Sequence, residues 1–447
     1  MTELSAPTQY RPARYAGRIA ALDVARGLAV LGMFIAHLGP DSEKPIVNWL
    51  WQIPDGRSSI LFATLAGVSL AILSGRNVPY EGAELARARV RIITRAFDLL
   101  LIAALVGLVN DFIAIILAHY AVWFVLAVPI LRWRTTSLAI TTAVCWIGGP
   151  VLVHYGQWLL ENLGMMASGP ENFLIDVLLT GMYPGVIYLG FVFAGMILGR
   201  HNITDPTVAL KALGVGVLLA LIGYGGAFLV PQHAEQDDIL SSSYVAEPSG
   251  DDASFTDGAD KPWPEEWDSD DKPWKDGEES GSWFEPGEGG YWNNGEGPEW
   301  MGAQPPAPTI LFGTQPHSST ITEAIGSGGI AIALIGFLLL LGPTVGRAAY
   351  PLAAVGAMPL TAYCLHLLII WLIPGVIFSD SAWPVILVSG GIMLACSLWR
   401  PLVGRGPFER FMYATSVRAA DSIVGSSKAV TGGDVSGQTG GSVTVET

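Results

Sequence analysis

Ten apolar runs punctuate the chain, at residues 19–38, 58–75, 93–110, 112–131, 136–154, 177–199, 207–230, 321–342, 351–377 and 382–399. Each is close to the roughly 20 residues a helix needs to cross the hydrocarbon of a bilayer. Gly, Ala and Ser recur inside them, as in "LAGVSLAILSG" and "GSGGIAIALIG", which suits close helix packing in lipid. Only Asn110 and Asp111 separate the third run from the fourth, so the pattern predicts a tight helical hairpin there. The N-terminal stretch before Arg18 is polar and has neither an apolar h-region nor a cleavage site. The first run is therefore expected to be a retained span, not a removed signal peptide. The predicted fold class is all-α: a polytopic bundle of about ten transmembrane helices, with no inverted repeat and no pair of Gly/Pro-broken helices in matching positions.

Composition sharpens this picture. The chain has 447 residues, 51% hydrophobic and 14% charged, with a mean hydropathy of +0.44. A soluble domain could not hide that much apolar surface. The net charge of −15 is unevenly spread, because Glu235–Trp300 alone holds 20 acidic residues and three lysines. This insert is rich in Pro and Gly and contains "KPW" twice. Such charge density cannot bury a core, so a disordered loop is expected. It would serve as a solvated spacer, or as a surface whose six tryptophans stack on sugars or whose carboxylates collect divalent cations; its Asp spacing does not fit a calcium loop. The organisation read along the chain is a tail at 1–17, seven spans within 18–231, the acidic loop at 232–320, three spans and the end of the membrane domain within 321–413, and a disordered tail at 414–447.

Sidedness follows from the basic residues. With the N-terminus inside, 18 of the 24 lysines and arginines fall on the cytoplasmic side, among them Arg87, Arg89, Arg91, Arg95, Arg347 and Arg405. The positive-inside rule then predicts a plasma-membrane protein with both termini cytoplasmic and the acidic insert outside. No basic domain points to nucleic acid. Cys145, Cys364 and Cys396 lie in apolar runs without metal-ligand spacing and read as packing residues, so no metal is expected. Phosphate-cradling, zinc-protease, nucleophile-elbow and dinucleotide fingerprints are all missing from contexts that would support them.

Ionisable groups inside the runs cost at least a few kcal/mol each unless they are used or paired. At 1.5 Å per residue, His37 lies roughly 28 Å beyond Arg18, His366 roughly 28 Å past Arg347, and His119 roughly 12 Å inward from Asp111. His317, in "PHSST", stands just outside span eight. Four histidines from four segments thus share the expected outer layer, while His154 lies at a helix end and carries less weight. Imidazole suits proton exchange near neutral pH and can also carry an acyl group; the same residues would serve a proton relay in a transporter. Asp111 is positioned to orient His119. Asp23 and Arg26 share a face of the first span, either as an internal ion pair or with Arg26 meeting a phosphate-bearing ligand. Arg57 and Ser58, in "DGRSS", open span two at the outer face, where with His317 and Ser318 they would line the approach to the site.

"RIAALDVARGLAVLGMFIAH", Arg18 to His37, resembles the first-span signature of the heparan-alpha-glucosaminide N-acetyltransferase-like family and the related YeiB-like membrane proteins. The similarity continues through "DGRSSILFATLAGVSLAILSGR", "IAIILAHYAVWFVLAVPILR", "FVFAGMILGR", "PHSSTITEAIGSGGIAIALIG", "PLTAYCLHLLI" and "GPFERF", in order from about residue 18 to 413. The resemblance implies a multi-helix membrane acyltransferase that moves an acetyl group from cytosolic acetyl-CoA, a co-substrate and not a resident cofactor, to an amine or hydroxyl beyond the membrane. His37 falls where the characterised animal enzyme has a polar residue. The outer loop that carries that enzyme's proposed catalytic histidine, here "LGPDSEKPIVNWLWQIPDGR", holds none, which argues against heparan as substrate. The expected partners are the lipid bilayer, acyl-CoA and an envelope glycan or glycolipid acceptor, with a homo-oligomer left open. The rival expectation is a proton-coupled transporter or flippase; a further one is a scaffold displaying the acidic loop.

Overall fold

The structure is a computed structural model that describes residues 19–40, 45–109, 113–163, 172–230, 304–377, 379 and 381–431. Asp111, the acidic insert and the outermost tails lie outside the described residues, and with them the expectations of a hairpin tip and of disorder there. Helices form at α1 (Ala20–Leu38), α2 (Pro45–Gln52), α3 (Arg57–Leu73), α4 (Gly82–Gly107), α5 (Ile116–Ala127) and α6 (Thr135–Asn162). They continue with α7 (Phe173–Ile175, running into a π-helical turn at Asp176–Thr180), α8 (Gly185–Gly199), α9 (Pro206–Ala227) and α10 (Ile321–Leu340). Then follow α11 (Val345–Ala348), α12 (Tyr350–Ala357), α13 (Pro359–Leu372), α14 (Trp383–Leu402) and α15 (Pro407–Thr431). Every apolar run carries helix, and no strand occurs among the described residues.

Six helical segments are long and apolar enough to cross a membrane, or eight if two bent pairs each count as one span. Of the ten runs, the two outside that set have plain reasons: α4 carries Arg91, Arg95 and Asp98 in its apolar half, and α5 is only 12 residues long. The chain is a multi-pass membrane protein.

Two of the spans are broken. The axis turns by 66° between the α7 segment and α8, and by 89° between α12 and α13. Each second half begins at a proline, Pro184 as the N-cap of α8 and Pro359 as the first residue of α13. Proline lacks the N–H that would continue the preceding helix and pushes the residue before it out of the helical region; Met358 accordingly has φ −138° and ψ 56°.

The first helix is the axis of the bundle, touching α3, α10, α12, α13 and α14. It meets α12 at near backbone contact, since a Cβ on Gly356 would lie 1.7 Å from the carbonyl oxygen of Asp23. At the chain's end the structure corrects the expected boundary at 413. The helix begun at Pro407 continues to Thr431 and packs along α4, burying Ser416, Ala420 and Val424 at four-residue spacing. That stripe, together with a hydrogen bond from Thr415 Oγ1 to Asp98 at 2.6 Å, orders residues that read as a Gly/Ser/Thr-rich tail.

Candidate active site

His37 sits in the last turn of α1, where α13 brings His366 against it. Nδ1 of His37 lies 3.1 Å from Nε2 of His366, with the rings stacked at 5.3 Å and 17°. His366 is completely buried, and Phe34, one turn before His37, covers its ring at 4.4 Å. The tautomers follow from the partners. His366 Nδ1 faces the carbonyl oxygen of Tyr363, which can only accept, so Nδ1 carries the proton. A neutral His366 therefore offers a lone pair at Nε2, and His37 must donate through Nδ1. This leaves His37 Nε2 as a lone pair, free to take a proton or attack a carbonyl carbon.

A second imidazole approaches from the loop before α10. His317 Nε2 is 3.4 Å from Asp55 Oδ1, and the two interact electrostatically with His37. Burial alone would lower the pKa of His317. The hydrogen bond and charge of Asp55, with Glu323 adding to them, outweigh burial and raise it above its ordinary value. The loop is built around the buried carboxylate of Glu323. It accepts from the backbone N–H of His317 and of Ser319, both at 2.9 Å, and from Ser318 Oγ at 3.2 Å. Those contacts hold His317 (φ 59°) and Ser319 (φ 53°) in the left-handed region, which costs energy for non-glycine residues. Gly56, at φ 63°, forms the floor: a side chain there would press on Pro316 and His317 at 3.4 Å. His154 Nε2 donates to the Ser318 carbonyl at 3.2 Å.

His119, in the first turn of α5, joins the same region through Tyr183, whose ring lies 5.3 Å from His119 and 5.5 Å from His317. Neither ring nitrogen of His119 has a hydrogen-bond partner among the described residues. The structure thus pairs His37 with His366, and it brings His119 and His317 against the same ring, Tyr183. The straight-helix depth of His366 ignored the 89° break, yet that break is what turns α13 toward α1.

A cavity of about 410 Å³, lined by Tyr363 but by none of these histidines, is within the size range of small-molecule sites. Along α1 it runs past Arg26, Val30 and Met33, a rise of roughly 10 Å that ends one turn short of His37. Arg26, Arg91, Arg95 and Arg405 line it, and Tyr120, Tyr363, Ile116 and Leu117 are among its apolar and aromatic lining. The Nε atoms of Arg91 and Arg95 are buried without hydrogen-bond partners among the described residues. Arg26 is held by Asp23 at 3.1 Å and Ser69 Oγ at 3.0 Å, and Asp23 also faces Arg400 at 3.6 Å, so this ion pair ties α1 to α3 and α14. Glu409 of α15 closes one side of the cavity, accepting from the N–H groups of Leu360 and Thr361 at 2.8 and 3.0 Å. Burial pushes its carboxyl above the usual range, against the pull of those donors.

Other predicted residues are placed elsewhere. Arg57 donates to Tyr224 Oη at 3.0 Å, and Tyr224 meets Ser327 at 2.6 Å, so it clasps α9 and α10. Ser58 gives its hydroxyl to the Pro54 carbonyl at 2.7 Å and fills the α1–α3 crossing. Asp55, Glu323, Tyr363, Arg405 and Glu409 were not among the candidates. The T-x-x-E spacing of Thr320 and Glu323 was one available signal, since it is a helix-start signature; Thr320 indeed caps α10 at 3.1 Å. Among the described residues no group of three or more His, Cys, Asp or Glu could hold a metal ion.

Residues 18–224 match the sequence model of the family described as heparan-alpha-glucosaminide N-acetyltransferase, catalytic. No curated protein and no solved structure matches the chain.

Proposed function

From a chain whose residues 18–224 match the model of the heparan-alpha-glucosaminide N-acetyltransferase catalytic family, we propose a membrane acyltransferase that passes an acyl group from acyl-CoA to a hydroxyl or amine on an envelope glycan or glycolipid. The observation that carries this reading is the His37–His366 contact of 3.1 Å one turn beyond Met33 and Tyr363, which line an arginine-rich cavity. Phosphates of the donor would lie against Arg91, Arg95 and Arg405, near the end of α1 that carries Arg26, which the basic-residue asymmetry assigns to the cytoplasm. The thioester arm would run up the apolar walls toward Met33.

His37 Nε2 then attacks the thioester carbonyl carbon. The C–S bond breaks and the CoA thiolate leaves with the electron pair, while the Nδ1 proton of His37 passes to His366 Nε2. The acceptor, arriving from the His317 side, loses its proton to His317, held by Asp55. Its oxygen or nitrogen bonds to the acyl carbon as the C–N bond breaks, and the electron pair and proton return to His37. If the acceptor reaches the thioester directly, His37 acts as general base instead. His119 borders the chamber as a further proton acceptor.

The test is CoA release from acetyl-CoA by purified protein in nanodiscs. The H37A variant should lose about 10²–10⁴-fold in turnover, and unchanged turnover would end the proposal. The two bent spans favour a second reading, a proton-coupled transporter, because broken helices line substrate sites in such proteins. That reading requires flux in proteoliposomes driven by a pH gradient, with no CoA released.

A further inference from the structure

Tyr120 and Tyr363 line the cavity and Tyr188 is buried against Trp123, and the three differ in one respect. Tyr120 Oη donates to the Ser59 carbonyl at 3.4 Å, and Tyr188 Oη pairs with Ser59 Oγ at 2.9 Å. Tyr363 Oη is buried, on a residue only 5% exposed, and its proton has no acceptor among the described residues. Buried hydroxyls are nearly always partnered, so an orphan at a cavity wall calls for an explanation. Its surroundings supply one. Tyr363 lines the arginine cavity together with Ile116 and Leu117, which open the 12-residue helix α5. No side chain caps that helix start, so its first N–H groups lack intrahelical acceptors and concentrate the positive end of the helix dipole. The tyrosine is also one turn before His366, with ring centroids 5.0 Å apart.

We infer that Tyr363 is a catalytic residue whose hydroxyl donates a hydrogen bond to the acyl carbonyl oxygen as that oxygen becomes an oxyanion, with the start of α5 polarising the donor. The assignment rests on the acyl-transfer reading above. When the nucleophile adds to the carbonyl carbon, the C=O π pair moves to oxygen, and Tyr363 holds that charge without giving up its proton. The pair then returns as the C–S bond breaks. A fixed donor in a water-poor site stabilises developing charge more than it stabilises the neutral thioester.

The experiment compares wild-type protein with Y363F, which keeps the ring and removes only the oxygen. Acetyl-CoA turnover is measured alongside the infrared carbonyl band of bound ¹³C-carbonyl acetyl-CoA, and thermal melting verifies folding. The expected result is a kcat about 10²-fold lower, with KM little changed and the carbonyl band moved to higher frequency. Wild-type turnover with Y363F within twofold of it, or an unshifted band, overturns the role of Tyr363 and leaves the acyl-transfer reading standing. Failure of the wild-type protein to consume acetyl-CoA overturns that reading and this inference with it.

Discussion

His37 can act as base or nucleophile because a backbone carbonyl on another span fixes the proton positions: the Tyr363 oxygen claims His366 Nδ1, and His366 Nε2 in turn claims His37 Nδ1. An acceptor at the His366 position is therefore essential. H366L should lower turnover by about 10²–10⁴-fold, whereas H366Q, whose amide oxygen can still accept, should lose less; equal losses in a CoA-release assay would contradict the proton chain. His317 carries the pH dependence. Its folded-state pKa is raised by Asp55 against the cost of burial, so the pairing stabilises fully below the unfolded value of about 6.5 and is lost as pH rises through the higher folded value. D55N should lower the melting temperature between about pH 5 and 6.5, with the difference shrinking at higher pH; a pH-independent difference would count against the pairing. At this scale the histidines were legible in the sequence, because depth along a helix is a count of residues. Asp55 and Glu323 are not legible there, because an acidic residue beside a loop looks solvated until the fold closes over it.

The elements show where hydropathy stops informing. An apolar run reports length and composition, and residues 351–377 read as one span although the chain turns by 89° inside it. The break aims His366 at His37, and it exposes N–H groups that a continuous helix would have used. Glu409 satisfies two of them from α15, a helix whose part beyond residue 413 reads as a tail. Removing that carboxylate leaves buried donors unpaired, at about 1–3 kcal/mol. E409A should therefore melt lower and transfer more slowly, while E409Q, which retains an acceptor, should stay close to wild type. A melting shift equal in both variants would show that the cap does not depend on hydrogen bonding. The start of α10 was better marked, since Thr320 and Glu323 stand at capping-box spacing.

Across the whole molecule, the basic residues and the histidines occupy opposite ends of α1, and the cavity spans most of the distance between them. The acidic insert takes no part in this account. Residues 308–320, by contrast, form a short 3₁₀ helix and the His317 loop, so a deletion of 235–303 spares the site and should leave CoA release unchanged; loss of activity would favour the scaffold reading. The most direct measurement uses sealed proteoliposomes of uniform orientation. Radiolabelled acetyl-CoA is supplied only on the arginine face, and glucosamine, as the acceptor probe, only on the histidine face. Labelled acetylglucosamine should accumulate on the histidine face and disappear in H37A. Absence of product from wild-type protein in both orientations, or an undiminished rate in H37A, would contradict transfer through this site.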